Sequence, residues 1–260
     1  MNISVSNLCF PGLMTHTMRH LPNDVGVEIF CEIGSDYYWD NLLPLLLRGR
    51  EVPLSVHGPF QRLDLSDSEK DFAPMLEAYI RAFKLCRKYG AKDCVCHPYD
   101  GGRPADDTPE RLEAAKQCSL ERILVLNEIA KQYGVTLLVE NMPEKNGMLG
   151  QKAFIELFAP HNELNFLIDT GHAKLLDWDM DYAFRTLGDR IKAYHVHDNF
   201  GDADSHMIVG TGKFDWDGFF KGFVEYTPNA AIVCEYNTGY SMDEVMRSIE
   251  WIHERIAAAE

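Results

Sequence analysis

The sequence predicts an α/β protein folded as a single (β/α)8 barrel spanning residues 1–260. Three observations predict it. Short runs rich in Val, Ile and Leu alternate along the chain with segments of helical spacing, the pattern of a parallel sheet with helices between its strands. The runs are apolar nearly throughout, as strands buried on both faces must be. There are eight of them in 260 residues, close to the roughly 250 typical of such barrels. Pattern alone also permits an open doubly wound sheet, and the count of eight favours closure.

The elements follow in order. Ile3 to Ser6 reads as the first strand and Val25 to Phe30 as the second. Trp39 to Leu47 is apolar on one face, a helix stopped at Gly49. Pro53 to Pro59 is the third strand, broken by Gly58-Pro59. Asp71 to Tyr89 carries Phe72, Met75, Leu76, Tyr79, Ile80, Phe83 and Cys86 at helical spacing, with Gly90 as the C-terminal stop. Asp93 to Pro98 is the fourth strand. Thr108-Pro109 supplies an N-cap and an N1 proline for a helix to Tyr133, closed by Gly134.

Thr136 to Asn141 is the fifth strand, Ala153 to Phe158 a short helix and Asn165 to Asp169 the sixth strand. Asp181 to Leu187 is a helix, Ile191 to Val196 the seventh strand and Ala230 to Glu235 the eighth. Ser241 caps a last helix reaching Ile256. Lys88-Tyr89-Gly90 before strand four recurs as Gln132-Tyr133-Gly134 before strand five, as a repeated βα unit would.

Composition narrows the function classes. A hydrophobic content of 46% suits a globular core. No apolar run approaches the roughly 20 residues that span a bilayer, and Met1 to Val5 lacks the basic and apolar regions of a signal peptide. The expectation is a cytoplasmic protein with no membrane association. Seven cysteines, an odd count without small-domain spacing, are expected as reduced thiols. A net charge of −15 disfavours nucleic acid as a general partner, though a local basic groove stays open. Homo-oligomerisation is left open.

Chemistry concentrates at strand ends. His57, His97, Glu140, Asp169, His195 and Glu235 each follow directly on an apolar run. In a parallel barrel these ends share one face, where active sites lie. One such residue can be a polar strand cap; six imidazoles and carboxylates together point to a divalent metal site. His172 adds an Asp-x-x-His unit with Asp169, and Asp204 with His206 adds an Asp-x-His unit. Cys94 and Cys96 share one strand face opposite Val95 and His97, so they read as buried thiols. Gly210-Thr211-Gly212-Lys213 reads as a tight turn more than a phosphate cradle. Trp39, Trp178, Trp216 and Trp251 read as packing residues, with Trp178 or Trp216 a candidate to line the pocket.

These motifs resemble the xylose-isomerase-like TIM barrels, a superfamily holding sugar isomerases and epimerases together with endonuclease IV. The matching stretches are His57-Gly58-Pro59-Phe60, Cys96-His97-Pro98, Val139-Glu140-Asn141, Ile168 to His172, His195 to Asp198, Asp204-Ser205-His206 before Gly210-x-Gly212, and Cys234-Glu235. They cover nearly the whole chain in order. For the sugar enzymes the resemblance implies one divalent metal, Mn, Co or Mg, held by Glu140, Asp169, His195 and Glu235. For endonuclease IV it implies three Zn ions, adding His57 and His97 with Glu140 for one, and His172, Asp204 and His206 for another. Ketose 3-epimerases usually carry arginine where this chain has His206, a departure that leaves further metals open.

The expected function is therefore a metal-dependent sugar or sugar-phosphate isomerase or epimerase acting on a small carbohydrate through a metal-stabilised enediolate. Glu140 and Glu235 would be its proton-transfer carboxylates, and His57, His97, His172 and His197 would contact substrate. The alternatives are a phosphodiesterase at abasic DNA sites and a dehydratase or lyase of a small polyhydroxy acid. The loops at residues 7–17 and 31–40 hold no Lys or Arg, which counts against a DNA backbone partner. Phe60 and Arg62, as a wedge and a phosphate contact, are the residues in its favour.

Overall fold

The computed structural model describes residues 2–99, 107–143 and 149–260. Its strands are β1 Ile3–Ser6, β2 Val25–Phe30, β3 Ser55–His57, β4 Asp93–Cys96, β5 Thr136–Glu140, β6 Asn165–Asp169, β7 Ile191–Val196 and β8 Ala231–Cys234. Each pairs in parallel with the next, and β1 pairs with β8, so the sheet closes into a barrel. Closure excludes the open doubly wound alternative. β3 is shorter than the sequence suggests, because Pro53 and Pro59 carry no N–H for the ladder.

The helices are α1 Asp36–Leu46, α2 Phe72–Tyr89, α3 Pro109–Gln132, α4 Gln151–Phe158, α5 Thr170–Leu175, α6 Met180–Leu187, α7 Trp216–Tyr226 and α8 Met242–Ala259. Local chemistry sets their ends. Thr108 accepts a hydrogen bond from the Arg111 N–H at the start of α3. Ser241 and Glu244 form a reciprocal capping box on α8. Gly90 closes α2 at φ 78°, a left-handed conformation that glycine adopts without a Cβ penalty.

Several features lie outside the sequence expectation. A 3-10 helix runs over Gly12–His20. α1 begins at Asp36, inside the stretch read as a loop. α5 and α7 are additional helices. Asp169 caps α5 through the His172 N–H, and Asp215 caps α7 through the Gly218 N–H. Among the described residues, no helix is long and apolar enough to cross a membrane.

The barrel interior is built in layers by the two-residue period of the strands. Val95, Leu138, Leu167 and Ala193 form a small apolar cluster from β4, β5, β6 and β7. Two residues further along the same strands stand His97, Glu140, Asp169 and His195. The apolar layer therefore floors a polar layer. The outward residues Cys94, Cys96, Leu137, Val139, Phe166 and Ile168 join the larger core against the helices. All seven cysteines are free thiols, and Cys94 and Cys96 lie on the outer face as expected.

Candidate metal centre

The structure brings together all ten predicted site residues, and their ligand atoms fall into overlapping groups. The first is His57, His97 and Glu140. The Nε2 atoms of His57 and His97 stand 3.1 Å apart. They lie 3.5 and 3.1 Å from the same oxygen, Glu140 Oε2. His57 Nδ1 donates to the Gly58 carbonyl at 2.8 Å, which leaves Nε2 as the acceptor in the neutral ring. Phe60, half-buried, walls this group, with its ring 5.1 Å from His57 and 4.7 Å from His97. It forms part of the site surface.

The second group converges on His195 Nδ1. Glu235 Oε2 lies 3.2 Å away, Glu140 Oε1 3.3 Å and Asp169 Oδ2 3.9 Å. Glu140 thus presents one oxygen to each group. Asn141, the residue after β5, fixes β6 beside it: its side chain accepts from the Asp169 N–H at 2.7 Å and donates to the Asp169 carbonyl at 3.1 Å.

The third group lies at the rim. His172 and His206 both aim Nε2 at Asp204 Oδ2, at 3.3 and 3.2 Å. Each ring is fixed from behind, since Nδ1 donates to the carbonyl of Asn141 at 2.7 Å in His172 and of Glu235 at 2.8 Å in His206. His197 is fully buried, stacked on His206 at 3.9 Å, with Nε2 on Asp169 Oδ2 at 3.0 Å. Asp198 holds the loop that carries Asp204 and His206. It accepts from Asn199 N, Phe214 N, Gly210 N and Trp216 Nε1 and bridges to Met207. This corrects the placement of Trp216, which serves the loop and packs on Trp251. Trp178 is likewise buried, against Phe154. The Gly210 to Lys213 stretch is a turn built on Asp198.

One residue of the centre escaped the sequence reading. Glu28 lies wholly buried in β2, with Oε1 3.0 Å from His195 Nε2. The available signal was a lone carboxylate in an otherwise apolar strand.

Electrostatics follow from burial set against opposite charge. Burial pushes Glu140 up, but His195 and His97 outweigh it and hold the carboxyl well below the usual range. Asp169 is held low in the same way by His172 and His197. Glu235 goes the other way, because burial prevails over its histidines. Burial lowers His97, whereas the carboxylates overcome burial and raise His195.

The residues fit a divalent cation. Glu140 Oε2 is buried without a hydrogen-bond partner and faces two imidazole nitrogens. Three of the rings are locked so that their free nitrogens point at carboxylates. Such a donor set, with its outer hydrogen bonds in place, suits a metal.

A family model described as a xylose isomerase-like TIM barrel matches residues 40–255, and the chain belongs to that family. An uncharacterized protein of Methanocaldococcus jannaschii is 26% identical over 202 residues, covering 75% of each chain. The structure of a D-tagatose 3-epimerase-like protein superposes with a TM-score of 0.81 at 22% identity, over 100% of this chain and 98% of its own. D-psicose 3-epimerase of Clostridium cellulolyticum, solved with D-tagatose, gives 0.76 at 14% identity, over 98% and 99%. A Thermus thermophilus protein soaked with ZnCl2 gives 0.74 at 22% identity, over 100% of both chains. At these identities the structural likeness speaks for the fold.

Proposed function

We propose that the protein is a divalent-metal-dependent isomerase or epimerase of a small sugar or sugar phosphate. The observation that carries this reading is the convergence of Glu140, Asp169 and Glu235 on Nδ1 of His195. These four residues would hold the principal cation. A cation bound there would supply Lewis-acid polarisation of a substrate carbonyl and its neighbouring hydroxyl.

The chain's own groups would move the proton. Glu140 and Glu235 both reach His195 Nδ1 from different strands, so they would flank a substrate bound over the site. One carboxylate takes a proton from carbon and the other returns one. Histidines that hold Glu140 ionised suit it to the base, and the burial that raises Glu235 suits it to the acid. His57, His97 and His172 would hold substrate hydroxyls, and Phe60 would shield one side from water. His197, beneath His206, would keep Asp169 in place. The sugar epimerases among the structural neighbours support this chemistry. So do exposed Leu13, Met14, Ile33 and Tyr37, on stretches after β1 and β2 that hold no Lys or Arg for a DNA backbone.

A second reading, phosphoester hydrolysis by a multinuclear zinc site, is favoured by one observation, the His172–Asp204–His206 group. Metal content per chain, by elemental mass spectrometry on freshly purified protein, separates the two. The sugar reading expects about one Mn or Co per chain together with interconversion of ketose epimers. Two or three Zn per chain with cleavage of an abasic-site oligonucleotide would overturn it.

A further inference from the structure

We infer that Glu28 is a positioning residue that commits His195 to present Nδ1, and not Nε2, to the cation. The inference rests on the metal reading above and is independent of the sugar. Glu28 Oε1 sits 3.0 Å from His195 Nε2, and the only other described carboxylates within reach of that ring face Nδ1. An imidazole presents its two nitrogens on different edges. Glu28 therefore meets the ring at Nε2, while Glu140, Asp169 and Glu235 meet it at Nδ1. A Glu28 oxygen lies within 4.8 Å of a Glu235 oxygen, so what makes Glu28 an outer partner is that its oxygens are engaged by His195 and Ser55. Its second oxygen is also taken: the Ser55 hydroxyl donates to Oε2 at 2.6 Å.

The placement is a consequence of register. Glu28 pairs with Ser55 across β2 and β3, which puts their side chains on the same inward face. His195 reaches that face from β7, across the barrel. The chain Ser55–Glu28–His195 thus runs through the interior to the metal face, with both Glu28 and His195 fully buried. A neutral imidazole carries one N–H and one lone pair. An N–H on Nε2 finds an acceptor in Glu28, and the lone pair is then on Nδ1, where three carboxylates converge. The opposite tautomer would set a lone pair against the Glu28 carboxylate and leave no ligand nitrogen for the cation. A negative group behind the ring also makes Nδ1 a stronger donor. Burying a carboxylate this deeply gives little net stability even when it is paired, so a positioning role accounts for Glu28 better than a purely structural one.

The test compares wild type with Glu28→Gln and Glu28→Ala. Glutamine keeps an acceptor for Nε2–H and can still meet Ser55, but lacks the charge. Alanine lacks both. Affinities for Zn²⁺ and Mn²⁺ are measured by competition with a chromophoric chelator, and nitrogen-15 histidine spectra of the zinc-loaded proteins report which His195 nitrogen is protonated. The expected result is a loss of affinity of about 10-fold for glutamine and about 100-fold for alanine, with the Nε2–H proton of zinc-bound His195 shifted downfield by its acceptor in wild type and glutamine and moved upfield in alanine. Should alanine prevent folding, Glu28→Met, which fills similar space without an acceptor, gives the same comparison. Affinity within about twofold of wild type in a folded variant, or an Nε2–H chemical shift unchanged by the loss of Glu28, would overturn the assignment, since outer-shell partners typically contribute 10- to 100-fold or so. Wild type that binds neither ion would instead defeat the metal reading and this inference with it.

Discussion

The Nε2 atoms of His57 and His97, carried by adjacent strands, meet 3.1 Å apart over a single oxygen of Glu140. Two neutral nitrogens cannot both direct lone pairs into that space. Burial opposes a charge on His57, but Glu140 overcomes it and raises the ring above the ordinary imidazole value. Below that raised value metal-free protein therefore holds the proton between them on a charged His57 ring. A cation entering there has to expel it, because metal ligands bind deprotonated. Zinc titration calorimetry in two buffers of different ionisation enthalpy should therefore show proton release. The number of protons released should fall in His57→Ala. Equal release from the two proteins would show that no ion enters between His57 and His97.

Glu140 is the residue the two inner groups share, and Glu140→Gln isolates its charge from its size. Activity should fall by at least about 100-fold, the lower bound for loss of a positioned proton-transfer group. Far-UV circular dichroism should be unchanged, since Glu140 closes β5 and its backbone pairing with β6 stays. Metal affinity should fall as well. A normally active Glu140→Gln protein would remove the assigned site.

The rim group makes metal-free stability depend on pH. Burial opposes a charge on His172, but Asp169 and Asp204 outweigh it and lift the ring to about 10. Asp204 and Glu235 likewise lift His206 to about 9. An unfolded histidine titrates near about 6.5, so the folded chain binds these protons more tightly than the unfolded one. The resulting stabilisation is complete below about pH 6.5 and is lost as pH rises through 9 to 10. Thermal unfolding of chelator-treated protein across that range should show a falling midpoint, and Asp204→Asn should flatten the fall. Parallel curves would separate Asp204 from the histidines.

Gly171→Ala sets two effects of opposite sign against each other. Alanine is the better helix former by about 1 kcal/mol, and Gly171 lies in α5. Its Cβ, however, would land 1.9 Å from Cε1 of His197. That ring is buried between His206 and Asp169 and has nowhere to retreat. Overpacking of this kind costs about 1–3 kcal/mol, so the clash should win. Urea unfolding should show a net loss, accompanied by weaker metal binding as Asp169 is disturbed. A stabilised variant would mean that His197 can move freely.

The strands and the positions of the six polar strand-end residues were legible because one period governs both. A strand buried on two faces needs continuous apolar residues, and the first polar side chain after it must lie on the active face. Glu28 broke that rule by sitting two residues before the end of β2, opposite Ser55 and not at the rim. Its partner His195 is 167 residues away, a contact that no local pattern expresses. α7 was missed for a different reason. Trp216, Phe219, Phe220 and Phe223 have helical spacing, but Gly218 and Gly222 among them lower the intrinsic helix propensity. The role of Trp216 depends on Asp198, 18 residues earlier in the chain.

Asp198 itself should prove to be structural. Its two oxygens accept from Asn199 N at 2.9 Å, Phe214 N at 3.1 Å, Gly210 N at 3.0 Å and Trp216 Nε1 at 2.8 Å. All four donors converge on a side chain with no exposed surface, so Asp198→Ala strands them together. Hydrogen bonds to a charged group contribute about 1.5–3 kcal/mol each and are not additive, which sets the expected loss at about 3 kcal/mol or more. Asp198→Asn keeps one accepting oxygen and should lose roughly half of that. The loop between Asp198 and Phe214 carries Asp204 and His206, so its loosening should weaken the rim group and leave His195, Asp169 and Glu235 in place. Hydrogen exchange should accordingly show faster opening of residues 199–214 with β7 and β8 still protected. Metal content should then drop only to the extent that the rim holds an ion of its own. Loss of all bound metal in a folded Asp198→Asn protein would show that the rim and the inner groups form a single inseparable site.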